Sequence, residues 1–264
     1  MKKLAGGLRL FAFFILSLLA MAVQSVARRC GGRFRHLVPH HYFRLVARLL
    51  RMRIRVEGER PGDAPALILC NHASWLDVVA LSAVAPVIFV AKQEVSGWPF
   101  FGTLAKLGGT VFVNRERRAD TVPVSRRMQE LLREGASVVL FPEGTTSDGN
   151  RVLPFYSALL GVVGEIGRAV PASLAYQGCF GLPMGRAARA RYAWFGNMTL
   201  PNHLWGVATG GPFEVVVRFH PPLDPGAGRK HMARQAEMRV RAGLQSLLTG
   251  RERPLPVSKA TELG

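Results

Sequence analysis

The stretch NHASWLD, residues 71–77, directly follows the apolar run ALILC, residues 66–70. A short apolar run bounded by Pro65 and a polar cluster predicts a buried strand, and the apolar residues after Asp77 predict a helix. His72 would then lie in the turn at the carboxyl end of a strand, where open α/β sheets bind their ligands. The stretch therefore predicts an α/β fold with a functional histidine at a strand end.

Two interpretations of His72 and Asp77 follow from their spacing. Five positions are about 140° apart on a continuous helix, so the side chains would diverge there, whereas a turn that leads into a helix lets them converge. If they converge, Asp77 can accept a hydrogen bond from His72 Nδ1 and leave Nε2 free as a general base. The same residues also fit a capping box, with Ser74 as the N-cap and Asp77 at the third helical position. The spacing alone leaves both interpretations open.

The composition is strongly basic and rich in apolar residues. The chain has 264 residues, with 35 Lys and Arg against 17 Asp and Glu, a formal net charge of +18 and 48% hydrophobic residues. This length is sufficient for one large domain with a substantial core. The basic residues are scattered and accompany an apolar amino terminus rather than a nucleic-acid-binding module. We therefore expect an anionic membrane surface and an acidic carrier protein as partners, and no nucleic acid.

The amino terminus predicts a membrane anchor. An apolar run of about seventeen residues, 10–26, is at the short limit for a bilayer span and has basic residues on both sides. A cleaved signal peptide is the alternative, because Ala20-Met21-Ala22 resembles a cleavage site. The arginine-rich segment that follows and the three widely spaced cysteines favour a retained anchor, either spanning or lying in one leaflet, and the cysteine spacing predicts no metal site. We expect residues 1–35 to form this anchor and its basic flank.

Predicted strands and helices alternate through the rest of the chain. Strands are predicted at 52–56, 66–70, 87–91, 109–113, 137–141, 172–176 and 213–219, and helices at 40–50, after Asp77, and at 98–107, 119–134, 157–166 and 230–248. This order predicts a mixed, largely parallel sheet flanked by helices. We expect residues 36–249 to form one domain and residues 250–264 a flexible tail.

Four blocks of sequence resemble the glycerolipid acyltransferases of the lysophosphatidic acid acyltransferase type. His72 and Asp77 match the His-x4-Asp motif of that family. A second block runs from Lys92 to the residues VFVNR at 111–115, the third is FPEGT at 141–145, and VPA at 170–172 is a weaker likeness to the proline block. The four blocks occur in the family's order over roughly residues 65–180. The resemblance implies that residues 36–249 are an acyltransferase domain.

The resemblance also implies the chemistry. His72 would take the proton from a lipid hydroxyl as that oxygen attacks an acyl thioester, and Asp77 would stabilise the imidazolium. Transfer would be direct, because Ser74 and Cys70 are better explained as a helix cap and a core thiol than as nucleophiles. No cofactor and no metal are implied. The aromatic residues Trp75, Trp98, Phe100 and Phe101 have two interpretations, as the lining of an acyl tunnel or as ordinary packing.

The third block and the end of the second imply the acceptor site. Arg115 would contribute to headgroup binding, and the backbone N–H groups of Gly144 and Thr145 would bind an anionic or polar headgroup. Thr146 follows them in the same loop. Glu143 would orient the acceptor or the loop, with ordinary turn chemistry as its alternative.

Two departures from the family pattern change the expected acceptor. Members that form phosphatidic acid usually have arginine where this chain has Thr146, and commonly lysine where it has Tyr156. Threonine cannot replace the charge of a bidentate phosphate clamp, so the acceptor is expected to lack a phosphate. Residues 145–155 resemble the third block of the lyso-ornithine lipid acyltransferases, and residues 194–200 also resemble that branch. An ornithine headgroup carries an amine and a carboxylate, for which Glu143, Asp148 and Arg151 are candidate contacts.

The sequence thus predicts a membrane-bound O-acyltransferase. The donor would be acyl carrier protein or acyl-CoA, and the acceptor the 3-hydroxyl of lyso-ornithine lipid. The expected location is the bacterial inner membrane with the active site towards the cytoplasm. One alternative is lysophosphatidic acid acylation, and a second, from a different class, is a lipid-binding membrane protein without activity.

Overall fold

A computed structural model describes residues 2–32, 34–62, 64–114, 121–162 and 168–251 of the chain. Eight strands in this part of the chain form one sheet: β1 Met52–Glu57, β2 Leu67–Cys70, β3 Val87–Lys92, β4 Val111–Val113, β5 Ser137–Leu140, β6 Ala169–Cys179, β7 Leu182–Pro183 and β8 Phe213–Phe219. The α-helices are α1 Lys2–Cys30, α2 Phe34–Leu49, α3 Trp75–Val84, α4 Phe101–Leu107, α5 Thr121–Arg133, α6 Arg186–Ala190, α7 Leu200–Ala208 and α8 Arg229–Thr249.

The sheet is mixed and largely parallel, which confirms the predicted fold class. Its strand order is β1-β8-β6-β2-β5-β3-β4, with β7 paired to β6. The pairs β6·β8 and β6·β7 are antiparallel, and the other pairs between neighbours are parallel. Leu69 of β2 lies beside Leu140 of β5 in this register. The residues three positions beyond each, His72 and Glu143, therefore leave the same edge of the sheet next to each other.

Two apolar layers cover the two faces of the sheet. Ile68 and Cys70 point into the layer that contains α2 and α3, and Leu67 and Leu69 point into the layer that contains α5 and α8. The strand is a continuous apolar run because both of its faces are covered by helices. The alternation of side chains along β2 thus places the His72 turn at the end of a strand that is buried on both sides.

Helix α1 lies along the domain rather than apart from it. Near its start, Arg9 Nη1 donates a hydrogen bond to the carbonyl oxygen of Ala208, and near its end Arg28 Nη1 donates to that of Lys106, at 2.7 and 2.6 Å. Between them, the Ser17 hydroxyl is 2.7 Å from the hydroxyl of Tyr42. The helix is long and apolar enough to cross a membrane by length and composition. Its inner face is nevertheless attached to the domain at both ends.

Helix α2 begins at Phe34 although the sequence predicted a start at His40. Pro39 lies inside this helix, and a proline there leaves the carbonyl four residues earlier without a donor. Here that carbonyl belongs to Arg35, and Gln24 Nε2 of α1 donates to it at 2.8 Å. The second helix therefore tolerates its proline because α1 supplies the missing hydrogen bond.

Other predicted elements differ from the structure in length. The helix predicted at 98–107 begins only at Phe101, because Pro99 holds Trp98 in an extended conformation. The helix predicted at 157–166 is a turn followed by a 3-10 turn over Leu160–Val162, and residues 163–167 lie outside the described residues. The sequence did not predict α6 and α7. The predicted tail at 250–264 falls almost wholly outside the described residues, which end at Arg251.

Candidate active site

The turn after β2 brings His72 and Asp77 together. Asp77 Oδ2 accepts a hydrogen bond from His72 Nδ1 at 2.8 Å, and the Asp77 side chain is fully buried whereas that of His72 is 21% exposed. The same oxygen accepts the backbone N–H groups of Ala73 and Ser74 at 2.7 and 2.9 Å. An oxygen with these donors acts as an acceptor towards Nδ1, so the neutral ring carries its proton on Nδ1 and leaves Nε2 as the basic atom.

The structure also contains the predicted capping box. Ser74 is the N-cap of α3, its hydroxyl accepts from Leu76 N–H at 3.3 Å, and Asp77 at the third helical position accepts from the N-cap backbone. The two interpretations of Asp77 thus coexist, because one carboxylate both caps α3 and binds the imidazole. The orientation of His72 is therefore coupled to the start of the helix.

Tyr176 is a partner of Asp77 that sequence reasoning missed. Its hydroxyl donates to Asp77 Oδ1 at 2.5 Å, and both side chains are fully buried. Burial raises the pKa of Tyr176 well above its ordinary value and the Asp77 charge raises it further, so the hydroxyl keeps its proton and remains a donor. Both oxygens of Asp77 are therefore hydrogen bonded.

The imidazole is also fixed by an aromatic contact. The rings of His72 and Phe141 are stacked, with centroids 3.9 Å apart and an interplanar angle of 11°. Phe141, which follows β5, is itself stacked against Phe89 of β3 at 6.1 Å. Hydrogen bonds to Asp77 and stacking on Phe141 together restrict the ring about two different axes.

Glu143, in the loop after β5, is almost completely buried, with 2% of its surface exposed. Its Oε1 atom accepts the backbone N–H of His72 at 3.1 Å, so the residue orients the turn that contains His72. Burial raises the pKa of Glu143 to about 8, against the opposing effect of the hydrogen bond from His72. Burial thus favours the neutral form of this carboxyl group.

The loop after Glu143 is attached to the His72 turn. Gly144 adopts a φ of +73°, a conformation that favours glycine, and Thr145 is exposed while Thr146 is half-buried. The next residue, Ser147, donates its N–H to the carbonyl oxygen of His72 at 2.8 Å. The structure thus brings the predicted headgroup residues 144–146 next to the turn. Arg115, the remaining predicted site residue, lies outside the described residues.

An apolar cavity of about 180 Å³ lies between the sheet and the amino-terminal helices. Its lining includes Trp75, Trp98 and Phe101, three of the four aromatic residues for which the sequence allowed two interpretations, while Phe100 packs against Phe14 instead. Phe89, which touches Phe141, is also part of the wall. The cavity therefore begins one aromatic ring away from the pair formed by His72 and Phe141.

The alternative nucleophiles near His72 are unsuited to attack. Cys70 and Ser74 are fully buried, and burial raises the pKa of the Cys70 thiol well above its ordinary value. A buried neutral thiol is a poor nucleophile, and the Ser74 hydroxyl is used as a helix cap. Within the described ranges, no group of three or more His, Cys, Asp or Glu residues is arranged to hold a metal ion.

Comparisons with known proteins agree with this geometry. A family model described as Acyltransferase matches residues 53–173. The lyso-ornithine lipid O-acyltransferase of Brucella abortus (strain 2308) is 43% identical over 263 residues, which cover 94% of this chain and 98% of that protein. The 1-acyl-sn-glycerol-3-phosphate acyltransferase of Neisseria gonorrhoeae is 41% identical over 154 residues, which cover 58% of each chain.

A solved structure supports the fold. The crystal structure of the 1-acyl-sn-glycerophosphate (LPA) acyltransferase PlsC from Thermotoga maritima aligns with a TM-score of 0.67 and 21% sequence identity. The alignment covers 96% of this chain and 100% of that one. The two chains therefore share the arrangement of the sheet and its helices.

Proposed function

The chain belongs to the acyltransferase family, in its 1-acyl-sn-glycerol-3-phosphate acyltransferase type, and we propose that it acylates the 3-hydroxyl of lyso-ornithine lipid. It is an enzyme that acylates a lysolipid, so a lipid-binding protein without activity is no longer a competing interpretation. The observation that carries the proposed chemistry is the 2.8 Å hydrogen bond between His72 Nδ1 and Asp77 Oδ2. This bond fixes the tautomer in which Nε2 can accept a proton.

In the proposed reaction, His72 acts as a general base. Nε2 takes the proton of the acceptor hydroxyl while the oxygen attacks the carbonyl carbon of the acyl thioester. The carbon–sulfur bond then breaks, and the imidazolium returns its proton to the departing thiolate. Asp77 stabilises the imidazolium through Nδ1, and Tyr176 holds the other oxygen of that carboxylate. The transfer is direct, in keeping with the buried states of Cys70 and Ser74.

The apolar cavity is the proposed site of an acyl chain. Its walls come from α1, α2, α3, β3, α4 and α7 and are almost entirely hydrophobic. A chain that enters it passes the Phe89 and Phe141 rings, so its carboxyl end can lie near His72. Burial of each methylene group stabilises the bound chain by about 0.8 kcal/mol.

The acceptor is inferred from charge and from the extent of the matches. Thr146 and the exposed Tyr156 replace the cations that a phosphate monoester would use. The match to the Brucella enzyme spans nearly the whole chain, whereas the match to the Neisseria enzyme spans 58% of it. Both observations favour lyso-ornithine lipid. Lysophosphatidic acid remains the second candidate, since the shared blocks are common to both groups of enzymes.

The proposed location is the cytoplasmic leaflet of a bacterial inner membrane. The outer face of α1 exposes a row of large apolar side chains, among them Leu4, Leu8, Phe11, Ile15, Leu18, Leu19, Val23 and Val26. Because both ends of this helix are bonded to the domain, we infer that it lies in one leaflet with this face in the lipid. Basic residues near both helix ends would bind anionic headgroups. The active site would then face the cytoplasm, which holds acyl carrier protein and acyl-CoA.

The test is acyl transfer by the purified full-length protein in detergent. Labelled acyl carrier protein and acyl-CoA serve as alternative donors, and lyso-ornithine lipid and lysophosphatidic acid compete as acceptors. We expect the unaltered protein to prefer lyso-ornithine lipid as the acceptor. We expect His72→Ala to lose this transfer activity. Preference for lysophosphatidic acid would overturn the proposed acceptor, and full activity of His72→Ala would overturn the proposed base.

A further inference from the structure

A second cavity of about 530 Å³ lies beside the turn that contains His72, and its lining combines charged residues with apolar ones. One wall is the loop 146–153, and the other is built by α6 and residues 195–196. Both walls are bonded to the turn: Ser147 N–H donates to the carbonyl oxygen of His72 at 2.8 Å, and Trp194 N–H donates to that of Ala73 at 2.7 Å. The position of this cavity relative to His72 is therefore fixed by the backbone.

The cavity wall is stiffened by a buried arginine. Arg189 is 5% exposed, and its Nε and Nη2 atoms donate to the carbonyl oxygens of Tyr176 and Met184 at 3.0 and 2.6 Å. Its Nη1 atom donates to the side-chain oxygen of Asn150. All three of these nitrogens are used by the protein itself, so Arg189 supports the wall and does not supply a charge for a ligand.

Three other charged residues line the cavity and are available to a ligand. The Asp148 side chain is 20% exposed, and its Oδ1 atom accepts the N–H of Asn150 at 3.1 Å, which orients the carboxylate. Arg151 Nε is 4.0 Å from Asp148 Oδ1 and its side chain is 70% exposed, so this ion pair is weak. Arg186 is exposed and forms no ion pair with any residue that the structure describes. The cavity thus offers an oriented carboxylate and two exposed guanidinium groups, of which that of Arg151 is weakly paired with the carboxylate and that of Arg186 has no such pair among the described residues.

We propose that this cavity binds a zwitterionic headgroup, an inference that rests on the proposed function. Arg186 binds the carboxylate of the headgroup, and Asp148 binds its ammonium. A guanidinium pairs well with a carboxylate, and a carboxylate pairs well with a primary ammonium. A phosphate monoester would meet the negative charge of Asp148, which disfavours it by like-charge repulsion. Asp148 and Arg186 are therefore the residues that determine specificity, through attraction of one headgroup and rejection of the other.

The first experiment measures kcat/KM of the full chain in detergent with lyso-ornithine lipid and with lysophosphatidic acid. Asp148→Asn should lower kcat/KM for lyso-ornithine lipid at least about tenfold, mainly through KM, and should raise or leave unchanged the value for lysophosphatidic acid. Arg186→Gln should lower the value for lyso-ornithine lipid similarly, and Arg186→Lys should restore part of it. Glu59→Gln and Arg60→Gln change exposed charges outside the cavity and should alter neither value.

A second measurement uses the unaltered enzyme and modified acceptors, so that it does not depend on the folding of any variant. Lyso-ornithine lipid with an acetylated side-chain amine, or with its carboxylate converted to an amide, should each lose at least about tenfold in kcat/KM. The Arg186→Gln variant should give equal kcat/KM for unmodified lyso-ornithine lipid and for the derivative whose carboxylate is converted to an amide. Equal use of the modified acceptors by the unaltered enzyme, or an unchanged acceptor ratio in Asp148→Asn, would overturn this inference while leaving the proposed function intact. No transfer to lyso-ornithine lipid by the unaltered enzyme would overturn both.

Discussion

His72 Nδ1 and Asp77 Oδ2 lie 2.8 Å apart although five positions separate them in the sequence. They meet because the chain turns between β2 and α3, and because the carboxylate points back towards the first residues of the helix. The same oxygen binds the N–H groups of Ala73 and Ser74. Movement of the carboxylate would therefore break the helix cap as well as the bond to the imidazole. This coupling gives Asp77 two roles, one in the capping box and one in the proposed catalytic pair.

Removal of the proposed base or its partner should abolish most of the transfer. His72→Ala should lower kcat by between about a hundredfold and ten-thousandfold, the usual contribution of a general base. Asp77→Asn should produce a comparable loss, because an amide does not stabilise the imidazolium as a carboxylate does. The measurement is steady-state acyl transfer, with thermal unfolding in detergent recorded for each variant.

The matched control for Asp77 is Ser74→Ala. This change removes the N-cap hydroxyl but keeps the bond between His72 and Asp77, so it should cost about 1 kcal/mol of stability and little activity. A loss of activity in Ser74→Ala as large as that in Asp77→Asn would mean that the cap, and not the carboxylate charge, is what the reaction requires.

Tyr176→Phe should lower the acyl-transfer activity less than Asp77→Asn does. The change leaves Asp77 Oδ1 without its donor in a fully buried position, at a cost of about 1.5–3 kcal/mol for a hydrogen bond to a charged group. Tyr192→Phe is the control, since Tyr192 stacks on Tyr176 but its hydroxyl lies 3.1 Å from the Cys179 thiol. Equal stability and activity of the two variants would show that the bond to Asp77 contributes nothing.

Glu143 should make the stability of the protein fall as pH rises. Its pKa is about 8 in the folded protein and 4.5 ordinarily, so between these values the folded chain retains a proton that the unfolded chain has lost. Folding is therefore increasingly disfavoured from about pH 4.5 to about pH 8, by at most about 5 kcal/mol. Glu143→Gln can still accept the N–H of His72 and should remove this dependence.

The measurement is denaturant unfolding in detergent at several pH values between 5 and 8. Glu143→Gln should gain stability relative to the unaltered protein as pH increases across this range. Parallel curves for the two proteins would show that the Glu143 carboxyl is not held neutral by burial. Glu130→Gln serves as the control, because this carboxylate is 45% exposed and pairs with Arg127 on the surface.

Local patterns sufficed to predict those parts of the fold that depend on neighbouring residues. Strand β8 has the predicted bounds, 213–219, because its apolar alternation is unbroken. The spacing of His72 and Asp77 allowed the two side chains to meet but left the capping box as an alternative, and the resemblance to the His-x4-Asp motif favoured the meeting. Tyr176 was not predictable, because its contact with Asp77 depends on the register of β6 beside β2, and no local pattern encodes that register.

The start of α2 and the attachment of α1 show a second limit of prediction from local sequence patterns. Pro39 removes a backbone donor inside α2, and the side chain of Gln24, from another helix, replaces that donor. Likewise, an apolar run has the same composition whether it spans a bilayer or packs on a domain. The polar contacts of Ser17 and Arg28 distinguish the two, and their partners are remote in sequence.

Acyl-chain length should respond to the size of the apolar cavity. Ala105 lies in the cavity wall on α4, and Ala105→Phe would fill part of the space. Exclusion of two methylene groups costs about 1.6 kcal/mol, so kcat/KM for the longest accepted chains should fall at least about tenfold while shorter chains are little affected. Thr103→Phe adds the same ring to an exposed position of the same helix and should leave the chain-length profile unchanged. An identical profile in both variants would place the acyl chain elsewhere.

The two ends of α1 should be accessible from the same side of the membrane. A helix of 29 residues is about 43 Å long and could cross a hydrocarbon core of about 30 Å. A crossing helix, however, would carry Arg9 and Arg28 to opposite surfaces, and each of them is bonded to the domain. The domain cannot accompany the helix through the bilayer, so α1 should lie in one leaflet.

Thiol labelling of inside-out membrane vesicles tests this topology. Cys30 is exposed at one end of α1, and Lys3→Cys, combined with Cys30→Ser, places a thiol at the other end. Cys179→Ala removes the half-buried thiol from both variants, and the buried Cys70 stays protonated and unreactive. A membrane-impermeant maleimide should label both variants equally from the cytoplasmic side. Labelling of one end only, with the other reached after the vesicles are opened, would establish that α1 spans the membrane and is not attached to the domain along its length.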